Sequence, residues 1–147
     1  MKNIFTLFLV LSTFSFYGQD KKISFLDLVG NHIQVPRGCQ AQSEYELQAC
    51  NGTTVKWDYY SGDMLSAVFD ATITAFEEAN GGKTEITFVC FGFELKGYKF
   101  KTGTTYQYFI QGKIKDQPLM MNLATPANIS VKDDMDNFLR QLFDEVS

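Results

Sequence analysis

The chain has 147 residues, 45% hydrophobic and 20% charged, with a formal net charge of −4. This composition excludes a disordered or fibrous chain and fits one globular domain with a real core. The acidic balance argues against nucleic acid and anionic lipid as partners, since both repel net negative charge.

Residues 1–18 read as a cleavable signal peptide. Lys2 supplies the positive n-region, and Ile4 to Phe16 is an apolar-rich stretch. A membrane-spanning helix needs roughly 20 apolar residues, so this stretch is too short to span, but it fits the ~7–15-residue hydrophobic region of an export signal. Residues 19–147 are then a single exported domain, periplasmic or extracellular, with no membrane span in the mature chain. Export permits disulfides. Of Cys39, Cys50 and Cys90, the first two lie near turns and enclose a short segment, so Cys39–Cys50 is the candidate bridge. Cys90 sits within an apolar run as a small buried hydrophobe.

Ile23 to Val29 is apolar but fits either a strand or a short helix, and Gly30-Asn31 ends it. Ile33 to Pro36 reads as extended, because a residue before proline is pushed to β geometry. Arg37 to Ser43 reads as loop. Tyr45, Leu47 and Ala49 then alternate with polar residues up to Asn51-Gly52, beyond which Val55, Trp57 and Tyr59 alternate with Lys56 and Asp58. That is the signature of a β-hairpin closed by a type I′ turn.

Ser61 or Asp63 caps a helix whose apolar stripe is Leu65, Val68, Phe69, Thr72, Ile73 and Phe76, and Asn80-Gly81-Gly82 stops it. Thr84 to Lys101 reads as one long strand or a strand pair, apolar on both faces in its first half, with Gly97 allowing a bend. Strands over Tyr106–Ile114 and Leu119–Ala124 follow. The spacing predicts a final helix: Ser130 as cap, then a stripe of Met135, Phe138, Leu139, Leu142, Phe143 and Val146. The connections are too short for parallel crossovers. The expected fold is therefore α+β, a mostly antiparallel sheet of about five or six strands packed by two amphipathic helices.

This order of elements resembles the PsbP-like fold of small exported accessory proteins. The resemblance rests on Ile33-Gln34-Val35-Pro36-Arg37-Gly38, on the helix after a hairpin, on the meander from Glu85 to Ala124 and on the closing segment. It implies an accessory or binding module without catalysis, and assigns no functional residue.

The residues themselves offer no catalytic or metal-binding spacing and no cofactor motif. Asp133, Asp134 and Asp136 are explained by a helix N-terminus, and Met120 and Met121 point to opposite faces of a strand. His32 is the lone histidine and the candidate base of a small hydrolase, with Cys39 or Cys50 as conceivable thiol partners; a solvated histidine is the simpler reading. Trp57, Tyr59 and Tyr60 are a candidate binding surface, although Trp57 and Tyr59 fall on the apolar side of their strand and Tyr60 opposite. Asn51-Gly52-Thr53 and Asn128-Ile129-Ser130 match the glycosylation sequon, a short pattern that chance supplies often. The expected function is an exported, non-enzymatic binding or accessory domain for a protein or small molecule. Its alternatives are an inhibitor or immunity-type protein and a hydrolase using His32.

Overall fold

A computed structural model describes residues 21–147. The expected leader over residues 1–18 lies outside them. Two-residue alternation dominates the chain, and the fold is correspondingly rich in strands. The first five are β1 (Phe25–Leu28), β2 (Asn31–Gln34), β3 (Ala41–Ser43), β4 (Glu46–Cys50) and β5 (Thr53–Tyr59). Helix α1 (Gly62–Asn80) leads into β6 (Thr84–Cys90), β7 (Phe93–Thr102), β8 (Thr105–Ile114) and β9 (Gln117–Thr125). A 3-10 turn at Lys132–Asp134, the single-turn helix α2 (Leu139–Leu142) and β10 (Glu145–Val146) close the chain.

Eight strands form one sheet in the order β10-β6-β7-β8-β9-β5-β4-β3, and β1 and β2 form a separate hairpin. All pairings are antiparallel. The sheet is larger than the five or six strands expected. Its edge strands β3 and β10 are too short to show alternation in sequence, and β3 lies in a segment that reads as loop.

Tight turns set the registers. Asn51 and Gly52 have φ of 52° and 83°, as a type I′ hairpin requires, and Phe91 and Gly92 (50° and 82°) split the Thr84–Lys101 stretch into β6 and β7. Ala49 departs from the expected pattern. The β4–β5 register shifts between Leu47 and Cys50, Ala49 takes a φ of 48°, and Cys50 rather than Ala49 is buried. At Gly97 the β7–β8 register runs on without interruption, so no bulge forms. The backbones approach so closely there that a Cβ would stand 1.8 Å from the Phe109 carbonyl oxygen.

The sheet is covered on both sides. On one face α1 lays Leu65, Phe69 and Ile73 against Phe100, Phe109 and Met120, with Phe76 packed edge-on to Phe100 and Phe109. On the other, Val55, Trp57, Phe88, Leu95, Tyr108, Ile110, Met121 and Leu123 meet the β1–β2 hairpin and the C-terminal segment. The buried Thr53 and Thr125 hydroxyls satisfy each other at 3.1 Å.

The second amphipathic helix does not form as expected over Met135–Val146. Its apolar residues are buried, but only Leu139–Leu142 is helical. Asp134 accepts the Ser130 and Val131 N–H groups at 2.8 and 3.0 Å, and these bonds hold its carboxyl below the usual range. Ser130 caps no helix; its hydroxyl receives Lys99 Nζ. Asp136 accepts the Leu139 N–H at 2.8 Å and starts the single turn. The open edge of β6 then claims the rest of the chain. Asp144 N–H donates to the Val89 carbonyl, and Thr87 and Ser147 exchange N–H to carbonyl bonds at 2.7 and 2.8 Å. Pairing with β6 thus replaces the last helical turns.

Candidate functional site

The site is built where the β1–β2 hairpin meets the end of β5. Leu26, Leu28 and Ile33 point inward and are buried. Phe25, Asp27 and His32 alternate with them and therefore face out, with Asp27 opposite His32 in the register. The hairpin turns at Val29-Gly30, with φ of 50° and 79°. A β-branched residue in the left-handed region is strained and persists only when its surroundings fix it. Here they do. The Val29 N–H donates to the Tyr59 hydroxyl at 3.0 Å, the Gly30 N–H to Asp27 Oδ1 at 2.7 Å, and Asn31 Nδ2 to the Leu28 carbonyl at 3.0 Å.

Trp57 and Tyr59 divide the work of holding the hairpin. The Trp57 indole is buried in the core, as its place on the apolar face predicts, and its N–H donates to the Asp27 carbonyl at 3.2 Å. Tyr59, read as core from the same alternation, instead lies at the rim, 36% exposed. It is the last residue of β5, and its hydroxyl reaches the hairpin backbone at Val29 and Asp27 while part of the ring stays exposed. Burial of the phenol raises its pKa, against the Val29 hydrogen bond, which lowers it. Tyr60 is not part of this surface. It turns to the opposite face and packs beside α1, its N–H donating to the Pro118 carbonyl.

Around Tyr59 the aromatic surface is broader than the sequence indicates. Tyr45, 42% exposed, meets Tyr59 edge-on at 5.7 Å between ring centroids. Phe25, 52% exposed, lies 6.2 Å from the His32 ring, and His32 Nε2 stands 4.0 Å from Asp27 Oδ2. Two aromatic pairs thus meet Asp27, Phe25–His32 at its carboxylate and Tyr45–Tyr59 at its backbone carbonyl. Sequence reasoning missed Phe25, Asp27 and Tyr45. The outward alternation of Phe25 and Asp27 with Leu26 and Leu28 is the signal that would have found the first two.

The thiols are disposed of separately. Cys39 and Cys50 form a disulfide with Cα atoms 5.3 Å apart, which removes both from any Cys–His pair. Cys90 is a buried free thiol, pushed up to about 12 mainly by burial and further by Asp144. Among the described residues, no serine, threonine or cysteine hydrogen-bonds to His32, and no three His, Cys, Asp or Glu side chains group as a metal site.

No protein-family model, curated protein or solved structure matches this chain. Among the described residues, no helix is long and apolar enough to cross a membrane.

Proposed function

We propose that this chain is an exported accessory or binding domain that works by contact, meeting a protein partner through Phe25, His32, Tyr45 and Tyr59. The observation that carries the reading is the strained Val29-Gly30 turn, held by Tyr59 and Asp27 beneath exposed aromatic rings. Rigid aromatic groups with polar tips lose little entropy on docking and dominate interface energetics. The Cys39–Cys50 disulfide suits an oxidising compartment outside the cytosol. The accessory role implied by the PsbP-like resemblance agrees with the same reading, and an inhibitor or immunity-type protein would use this surface in the same way.

The test compares the domain with a Phe25→Ser/Tyr45→Ser variant, both immobilised and exposed to the extracytoplasmic fraction of the source cells. Both side chains are exposed, so the variant keeps its fold. The reading expects a discrete protein retained by the parent and lost by the variant. Retention by both, or by neither, refutes it.

A further inference from the structure

A second concave surface lies between the segment after β2, the Asn51-Gly52 turn and the α2 region, with a volume of about 400 Å³. That is within the usual range for a small-molecule site. Its polar lining is Gln34, Arg37, Asn51, Asp136, Asn137 and Gln141, and its apolar part comes from Val35, Pro36 and Phe138. We propose that this cleft binds a neutral saccharide.

Three features of the lining select that chemistry. First, its charges cancel: Arg37 is the only cation and Asp136 the only anion, so the cleft has no net charge with which to select an anion or a cation. Second, every polar side chain in it is planar. Amides, a guanidinium and a carboxylate present two donors or acceptors side by side, which match vicinal hydroxyls that each donate and accept. Third, these groups are available. Among the described residues, the Gln34, Asn51, Asn137 and Gln141 amides and the Arg37 guanidinium make no side-chain hydrogen bond, and Asp136 commits only Oδ1, to the Leu139 N–H. The C–H face of a sugar ring would lie on the apolar part.

The backbone of the walls and the Asp136 carboxylate are also fixed before any ligand arrives. The Cys39–Cys50 disulfide ties the Pro36–Cys39 segment to the end of β4, and Asn51 is locked in the left-handed turn. Asp136 is held by its bond to Leu139. Such preorganisation lowers the entropic cost of binding. A dipeptide is the competing ligand for paired opposite charges. Four uncharged amides against a single charge pair favour the polyol.

The experiment is a calorimetric titration of the oxidised domain with neutral disaccharides built from glucose, galactose, mannose or N-acetylglucosamine, with gluconate and glycylglycine as charged and zwitterionic controls. The expected result is saturable binding of at least one neutral disaccharide with a Kd on the order of 1 mM, weakened about tenfold or more by Asn137→Ala/Gln141→Ala. Both residues are exposed, so the variant's thermal midpoint should match the parent's and loss of binding will not reflect unfolding. The proposal is overturned if no neutral disaccharide saturates below about 50 mM, if glycylglycine binds instead, or if the double variant binds unchanged.

Discussion

The Tyr108 hydroxyl accepts the Ile129 amide N–H at 2.7 Å and donates to the Ala127 carbonyl at 2.9 Å. One side chain from the middle of the sheet thus fixes the path of the chain as it leaves β9 for the C-terminal segment. Tyr108 and Ile129 are both fully buried, so the Ile129 N–H has no ready access to water once the hydroxyl is gone, whereas the half-buried Ala127 carbonyl keeps some. Tyr108→Phe should cost about 1–3 kcal/mol, the penalty for leaving buried polar groups unpaired. Urea unfolding followed by tryptophan fluorescence would show a lower midpoint at unchanged slope. An unmoved midpoint would mean that water replaces the hydroxyl.

How much of this was readable from the sequence depends on the element. The Asn51-Gly52 hairpin and α1 were legible because local chemistry and apolar period agree there with the tertiary outcome: α1 runs from Gly62 to Asn80 and buries Leu65, Phe69 and Ile73. The Met135–Val146 stripe was misleading. Burial of its apolar residues was foreseeable, but a helical period also fits a turn-and-strand path that buries the same side chains. What decides between them is the vacant edge of β6, a non-local fact. The candidate surface failed in part for a similar reason. Trp57 and Tyr59 share one face of β5 and both bond the hairpin, and alternation cannot say that the first is buried there and the second left 36% exposed at the strand's end.

Gly97 carries the next expectation. Its partner across the β7–β8 ladder is Ile110, and a Cβ at Gly97 would meet the Phe109 carbonyl oxygen at 1.8 Å and the Ile110 Cα at 2.9 Å. Both obstacles are backbone, so no side-chain rotation relieves them. Gly97→Ala should therefore cost roughly 4 kcal/mol or more, in the tail of single-substitution effects. Gly92→Ala is the contrast. It strains a positive φ but meets nothing within 4 Å, and should cost less. Equal thermal midpoints for the two variants would show that the strands separate cheaply at Gly97.

The Cys39–Cys50 disulfide closes a loop with a sequence separation of 11. By loop-closure entropy, a bridge of this length stabilises the fold by about 3 kcal/mol through its restriction of the unfolded chain. Reduction with dithiothreitol, or Cys39→Ser/Cys50→Ser, should lower the urea midpoint accordingly. Cys90 should stay unreactive toward a thiol reagent in the oxidised native protein and become reactive on unfolding, because its thiol is buried and held protonated. Loss of less than about 0.5 kcal/mol on reduction would place the loop's order in its other contacts.

Alkali should destabilise the domain chiefly through the two groups whose pKa values are raised most, ahead of Tyr59 and Lys83, which are also raised. Burial pushes the Tyr108 phenol from its ordinary 10.0 to about 12, and the Cys90 thiol from 9.0 to about 12. The unfolded chain releases these protons at lower pH than the native one, so above the unfolded values it binds fewer protons and gains stability relative to the fold. The contribution of each group is fully present below its unfolded pKa and is lost as pH rises through its folded value. Stability should accordingly hold near pH 8, decline from about pH 9 as the Cys90 linkage begins, and fall more steeply from about pH 10 as Tyr108 joins. Measuring the urea midpoint across that range in the parent, Cys90→Ala and Tyr108→Phe separates the two, since each variant removes its own part of the slope whatever it costs at neutral pH. A parent curve flat to pH 11, or variants whose slopes match the parent's, would show that the two groups titrate alike in the folded and unfolded chain.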